Sequence, residues 1–374
     1  MRPSILRFLS RLSPWPKWKP LDFSNPNFGI IAPGQRVEEE TIPGYLASRY
    51  YPTRIGEVIR DRYQVVGELG YGVTSTVWLA RDMEQRSYVA LKIYVDAASM
   101  GQNVDHELKM YERISRGSKH PGRRAIRPLL DSFNIVGNED KHQCLLHPPL
   151  FENIKADNIM FGFADDGPFK QFEQEELQNP SPRKEEDGQT IYLSRELAMQ
   201  PGKLGAPVLC DFGSAATGDV EHYEDIQPEQ YRAPEVIIEA PWSYSVDIWN
   251  VGCMIWNIFE GGSLFTGIDP GSQTYKSKAH LAEIINLLGP PPPSVLARGK
   301  RSGRFFSEAG EFLETSLLRE YTPLEKRETT LDEDKEDKKL FLQLMRKMLQ
   351  WEPEERASAG ELVRDEWIRK HTGL

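Results

Sequence analysis

The sequence predicts an α+β chain in two lobes, a small β-rich one followed by a larger helical one. Three observations carry this. Tyr63 to Tyr94 reads as three successive strands: "YQVVGELG" is apolar and ends on glycine, "TVWLARD" alternates, and "SYVALKIY" is rich in β-branched and aromatic residues. After about Asp211 the chain turns helical, and "SVDIWNVGCMIWNIFEG" is apolar nearly all round, the mark of a buried helix stopped by glycine. Between these regions, residues 163–205 are polar, with Pro180, Pro182 and the run "RKEED", and read as an inserted or partly disordered spacer. A length of 374 residues suits two domains or one large fold with two lobes.

The elements follow in order. The first twenty residues carry Arg2, Arg7, Arg11, Lys17 and Lys19 and no acid, and Ile5, Leu6, Phe8, Leu9 and Leu12 would share one side of a helix. That pattern is similar to a mitochondrial presequence. Prolines follow at once, so a solvated tail is the preferred reading of residues 1–40. Residues 41–150 form the first lobe and its exit strand. Within them, 103–114 predicts a helix, with Val104, Leu108, Tyr111 and Ile114 on one face. The basic stretch 113–127 predicts a solvated turn. The second lobe is 151–368, with 163–205 as the spacer and 369–374 as a short tail. "KSKAHLAEIINLLG" and "DKKLFLQLMRKMLQW" are amphipathic helices, and Pro290 to Pro293 is a stiff break.

The net charge of -10 points away from free nucleic acid and toward a basic partner, although an acidic balance also serves solubility. The three cysteines, Cys144, Cys210 and Cys253, lack metal-pair spacing, and so sparse a set fits a reducing compartment. No apolar run reaches the roughly 18 residues that a membrane span needs.

Chemistry enters at "LGYGVTSTVWLA", which fits G-x-G-x-x-G-x-V with Ser75 at the third glycine place. A glycine turn between two strands lets backbone N–H groups approach phosphates. A dinucleotide fingerprint would need a helix next, and here a strand follows. That strand leads to "VALK". Lys92, at the end of an apolar strand, needs an anionic partner, and Glu107 faces inward on the helix that follows. "IKADNIMF" and "LCDFGSA" supply Asn158 and Asp211, hard oxygen donors suited to magnesium. "YRAPEVI", "YSVDIWNVGC" and "PEERASAGEL" come after them in order.

Together these motifs resemble the eukaryotic protein kinases. The lead-in "YYPTRIGEVIRDRYQVVGELGYGVTSTVWLARD", the helix "HELKMYERIS" and the long spacer before "DFG" resemble the SR-protein kinase family, which phosphorylates serines in Arg/Ser-rich proteins. The resemblance covers about Glu38 to Ile368. It implies a two-lobed kinase fold using ATP and Mg2+, acting as a monomer on basic Arg/Ser-rich proteins in the cytoplasm and nucleus. It further implies that Leu69, Gly70, Tyr71, Gly72 and Val77 cover ATP, that Ala90 packs on adenine, and that Lys92, paired with Glu107, holds the α- and β-phosphates. Lys155 would touch the γ-phosphate, Asn158 and Asp211 would bind magnesium, and Pro148 and Leu150 would offer a carbonyl and an N–H to adenine. Glu235 would pair with Arg356, and Asp247 would accept N–H groups from the catalytic loop.

One block departs from the family. The catalytic loop H-x-D-x-K-x-x-N ends on Lys155 and Asn158, which puts Phe151 at the histidine place and Asn153 at the catalytic aspartate. An amide takes no proton at neutral pH. Sixty-six positions separate Lys92 from Asn158, where the family uses roughly 100. The missing span corresponds to the two helices that precede the catalytic loop in the helical lobe. The three steps from Leu150 to Asn153 reach at most about 11 Å, against roughly 15 Å between hinge and base in an extended ATP pose. Pro228 stands where many kinases put a threonine that contacts the base. Between Gly218 and Gln230 the only hydroxyl is that of Tyr223, so Ser/Thr phosphorylation is not expected to switch this segment.

Overall fold

The structure, a computed structural model, describes residues 16–96, 105–116, 120–137, 140–151, 158–186, 188–198, 202–331 and 333–372. The presequence-like residues 1–15 lie outside them. The chain divides into two compact units, Met1–Ala215 and Ala216–Leu374. The expected boundary at 150/151 therefore shifts, because the spacer packs on the β-rich lobe.

In the first unit six antiparallel strands pair in the order β1-β2-β3-β4-β6-β5. They are β1 (Val58–Ile59), β2 (Tyr63–Gly72), β3 (Ser75–Asp82), β4 (Ser87–Tyr94), β5 (Asp131–Val136) and β6 (Lys141–His147). The pleat sends alternate residues to opposite faces. Trp78, Ala80, Val89, Leu91 and Ile93 share one apolar cluster, while Leu79 and Tyr88 join another. The helix predicted over 103–114 is α1 (His106–Ser115).

A hairpin of β7 (Ile159–Phe163) and β10 (Leu204–Leu209) is split by the spacer. The spacer is ordered where the sequence suggested loop. It forms helix α2 (Gly167–Gln178) and a hairpin of β8 (Arg183–Glu186) and β9 (Gln189–Tyr192). Phe169 and Phe172 of α2 cover Leu79 and Tyr88 on one face of the sheet, and Tyr192 of β9 packs on Trp78 on the other. The spacer thus grips both faces. A Cβ on Gly67 would lie 2.7 Å from the Phe172 ring, so the helix sits where only glycine leaves room. Buried Glu176 anchors the far end, taking bonds from Arg195 (3.0 Å) and from the Ser181 N–H (2.8 Å) and hydroxyl (2.7 Å).

Residues 16–40, expected as flexible tail, run along this assembly. Trp18 N–H donates to the Met83 carbonyl at 2.8 Å, and its ring lies under the Arg81 guanidinium at 4.6 Å. Leu21 and the Gln64 side chain exchange two bonds, at 2.9 and 2.8 Å. Lys184 reaches Glu40 at 2.8 Å. The apolar and aromatic residues of the segment found a sheet to cover, which polarity alone could not forecast.

Glu39 is the weak point of this arm. It is buried, and its Oε2 has no hydrogen-bond partner among the described residues. Desolvation, aided by the charges of Glu38 and Glu40, raises its carboxyl from 4.5 to about 7. The folded state therefore holds a proton that the unfolded chain releases near pH 4.5. The stability this contributes is complete below pH 4.5 and is lost as pH rises through about 7. Glu39→Gln should raise the melting temperature at pH 8 and leave it unchanged below pH 5. Equal melting of the two proteins at pH 8 would refute the assignment.

The second unit is built on helix α3 (Ser245–Glu260), ended by Gly261 in the left-handed region at φ 70°. Trp249, Cys253 and Trp256 are buried in its core with Phe341, Met345 and Met348 of helix α5 (Lys335–Met348) and with Leu281 and Ile284 of helix α4 (Ser277–Leu288). Gly252 allows close approach to α5, since a Cβ there would meet Met348 and Leu349 at 3.2 and 3.1 Å. A last helix, α6 (Glu366–Thr372), begins at the end of the expected lobe and continues through 369–372, expected as tail. Val251 and Ile258 of α3 are exposed. Among the described residues no helix lies between β6 and β7.

The Glu235–Arg356 pair is present and bidentate, at 2.6 and 2.6 Å, and both residues are buried. Arg356 also donates to the Ser245 and Gln350 carbonyls at 3.0 and 3.1 Å. Removing one partner of such a pair strands a buried charge, so Arg356→Ala should cost about 3–5 kcal/mol of stability in urea unfolding. A loss below about 1 kcal/mol, the worth of a surface pair, would show that the pair is not structural.

Candidate active site

The site residues of the first unit sit on the glycine turn, β4, α1 and the segment after β10. The turn is tight: Gly72 pairs with Ser75, leaving only Val73 and Thr74 at the tip. A Cβ at Gly70 would meet nothing within 4 Å, so the chain itself does not require glycine there, and the open space serves what lies beneath. Tyr71 is exposed, Leu69 and Val77 are half-buried, and Ala90 is buried opposite His147.

Lys92 Nζ donates to Glu107 Oε2 at 2.8 Å and lies 3.3 Å from Asp211 Oδ1. Glu107 is buried and the Asp211 side chain is 57% exposed, so the lysine bridges an inner carboxylate to an outer one. The same Glu107 oxygen accepts the Tyr94 hydroxyl. Burial first, then the Glu107 charge, push the Tyr94 phenol far above its ordinary range, which keeps it a donor. Tyr111, one helical turn beyond Glu107, meets the Phe212 ring edge-on at 5.3 Å. Helix α1 therefore meets the "DFG" segment directly through Tyr111 and, one turn earlier, by way of Lys92 through Glu107. A ring nitrogen of His106 adds a third hold, on the Ala215 carbonyl at 2.8 Å.

Asp211 has φ 57°, a left-handed conformation that aspartate tolerates better than most residues. Gly213 N–H donates to its Oδ1 at 3.2 Å. Asn158 is exposed, and its carbonyl accepts the Cys210 N–H at 2.9 Å, which sets the two expected magnesium ligands on neighbouring strand ends. Oxygen donors on an open edge beside a paired lysine suit a magnesium–phosphate group.

The exit from β6 departs from expectation. The Pro148 carbonyl, expected to face adenine, accepts two bonds from Arg127 at 2.9 and 3.2 Å, and Leu150 is buried. Arg127 was placed in a solvated turn. It is half-buried because this carbonyl gives its guanidinium a partner. Phe151, at the histidine place, exchanges bonds with Phe161 at 2.8 and 3.0 Å. Asn153 and Lys155 lie outside the described residues, as do the catalytic-loop N–H groups expected to meet Asp247. In the second unit, Gln227 takes the Ala233 N–H and donates to the Val246 carbonyl, both at 2.8 Å, which ties residues 227–233 to α3.

Sequence reasoning missed Tyr94, Tyr111 as a ring contact, His106 and Arg127. Spacing held the first two: Tyr94 shares the pleat face of Lys92, and Tyr111 lies four residues after Glu107.

A glycine turn over an inward lysine, a helix carrying its glutamate and a "DFG" aspartate at the lysine are the nucleotide-holding half of a protein kinase. The protein kinase domain profile matches residues 200–368. A serine/threonine protein kinase of Aspergillus fumigatus is 37% identical, covering 91% of this chain and 93% of that protein. Serine/threonine-protein kinase SRPK of Physarum polycephalum is 27% identical, over 87% of this chain and 90% of that one. Serine/threonine-protein kinase SKY1 of Saccharomyces cerevisiae is 36% identical over 44% of this chain and 22% of that protein. The crystal structure of PF14_0431, kinase domain, matches in fold with a TM-score of 0.61 at 18% identity, over 86% of this chain and 99% of that one. The chain belongs to the serine/threonine protein kinases, with relatives of the SR-protein kinase type. The alignment to the Aspergillus protein spans 376 positions, more than the 374 residues of the whole chain, though only 91% of the chain takes part. That relative carries residues absent here.

If Lys92 is the cation that lets Glu107 stay buried, the two should be energetically coupled. In a double-mutant cycle of Lys92→Met and Glu107→Gln, the double variant should be more stable than the sum of the single losses predicts, by about 0.5–3 kcal/mol. Strict additivity would mean the pair does not interact in solution.

Proposed function

We propose that this chain is a nucleotide-binding kinase of the SR-protein kinase type whose fold is built to phosphorylate serines in Arg/Ser-rich basic proteins, and whose own transfer step is disabled at the catalytic loop. The observation that carries the nucleotide half is Lys92 held at 2.8 Å from Glu107 and 3.3 Å from Asp211. Protein kinases use ATP with magnesium. Here Lys92 would meet the α- and β-phosphates, and Asn158 and Asp211 would hold the metal. The net charge of -10 favours a basic protein partner over nucleic acid. A monomer acting in the cytoplasm and nucleus fits that substrate class.

The transfer half fails on two counts. General-base assistance is worth about 10² to 10⁴ in rate, and Asn153 cannot supply it. Positioning contributes most of the remainder, and the eleven residues between β6 and β7 are too few to make the two helices that would position the loop. Asn153→Asp alone should therefore not restore phosphate incorporation into an Arg-Ser repeat peptide. A protein with about 40 family-like residues reinserted, ending in histidine and aspartate at positions 151 and 153, should. The unmodified chain should still gain thermal stability from Mg-ATP, and Lys92→Ala should lose that gain. Turnover by the unmodified chain on the order of 1 per second, falling with Asp211→Ala, would overturn this reading.

A further inference from the structure

We infer that Tyr94 is a positioning residue that latches helix α1 onto β4, so that the Lys92–Glu107 pair stands formed before nucleotide arrives. Its bearing on nucleotide rests on the reading just given, while the latch itself does not. Tyr94 is the last residue of β4, two after Lys92 and on the same face of the pleat. It is 5% exposed, and its hydroxyl donates to the Glu107 oxygen that also accepts Lys92. Lys92 Nζ lies 5.2 Å from the centre of the Tyr94 ring. One side chain thus touches both members of the pair.

The backbone around Tyr94 is fixed from two directions. Its carbonyl meets a ring nitrogen of buried His142 at 2.9 Å. The next residue, Val95, donates to the Thr74 carbonyl at the tip of the glycine turn at 3.0 Å. Tyr94 therefore joins the turn, the lysine strand and α1. An aliphatic residue here would fill the same space and leave Glu107 with one donor. The hydroxyl adds a second, and it spares lysine charge: with Glu107 shared between two donors, the ammonium keeps more of its field for phosphate oxygens. A hydrogen bond to an ionised acceptor corresponds to roughly tenfold to hundredfold in an equilibrium constant. If α1 leaves its docked position without that bond, the competent fraction and the apparent nucleotide affinity fall together.

The test is Tyr94→Phe, which keeps the ring and removes the oxygen. Hydrogen exchange of the ligand-free protein should quicken at least fivefold across 105–116 while β2, β3 and β4 stay protected. Binding of a fluorescent ADP analogue with magnesium should weaken about tenfold. In a Glu107→Leu background, Tyr94→Phe should add nothing to the exchange of α1, because no acceptor is left for the hydroxyl. Unchanged exchange in α1, or exchange rising equally through the sheet, overturns the latch, as does a Tyr94→Phe protein that fails to fold. Absence of nucleotide binding by the unmodified chain refutes the proposed function instead, and the exchange measurement still decides the latch.

Discussion

A carboxylate at Glu107, 4% exposed, would lose several kcal/mol of hydration with no donors to replace it. The architecture of the first unit is arranged around supplying them. Lys92 and Tyr94 come from alternate positions of one strand, so a single pleat face delivers a cation and a hydroxyl to one oxygen. A Cβ on Gly213 would lie 3.2 Å from Asp211 Oδ1, a tight approach, and in ordinary contact with Glu107 Oε2 at 3.7 Å. The left-handed turn at Asp211 brings its carboxylate to the outer side of the same ammonium. Loosening one of these contacts exposes a cost the others share, which is why helix, strand and "DFG" segment are expected to move together.

The sheet that carries Lys92 has two apolar faces, and two apolar faces need two covers. The spacer and the arm meet that need within the first unit. Phe169 and Phe172 lie on one face and Tyr192 on the other, with Trp18 and Phe23 packed beside α2. The cation–π contacts of Arg81 on Trp18 and of Arg183 on Phe28, the latter at 3.6 Å, fasten the arm with charged groups whose stems also pack. An insertion that looks dispensable from its polarity thus belongs to the core of the lobe that would hold nucleotide.

The strands and α3 were legible because their patterns are strong: period-two alternation in β3 and β4, and an all-round apolar run ended by glycine in α3. The spacer was not. Helix α2 buries Pro168, Phe169, Phe172 and Glu176, too few apolar positions to outweigh "KQFEQEE" in a periodicity count, and its burial depends on the absence of a side chain at Gly67, about a hundred residues away in sequence. Arg127 was misread for a related reason. A basic residue in a basic stretch looks solvated until a carbonyl such as that of Pro148 is brought to it. For the site, the Lys92–Glu107 pair was readable from motif and spacing, while the contacts of Lys92 with Asp211 and of Tyr94 with Glu107 needed the fold.

If a block is missing before the catalytic loop, the division of the chain sets the consequence. Lys92, Glu107, Asn158 and Asp211 all belong to the unit ending at Ala215, and their mutual contacts run through β4, α1 and the β7–β10 hairpin. None of these elements is drawn from the span that is short. Nucleotide binding, as proposed, would therefore depend on contacts made within that unit. Phosphoryl transfer would depend on a base and a loop held by helices that precede them. A point substitution can return a carboxylate to position 153, but it cannot return the surface against which that carboxylate is aimed. On the proposed reading, the short span between β6 and β7 would part a nucleotide-holding half, tied together by its own buried charges, from a transfer half that depends on its scaffold.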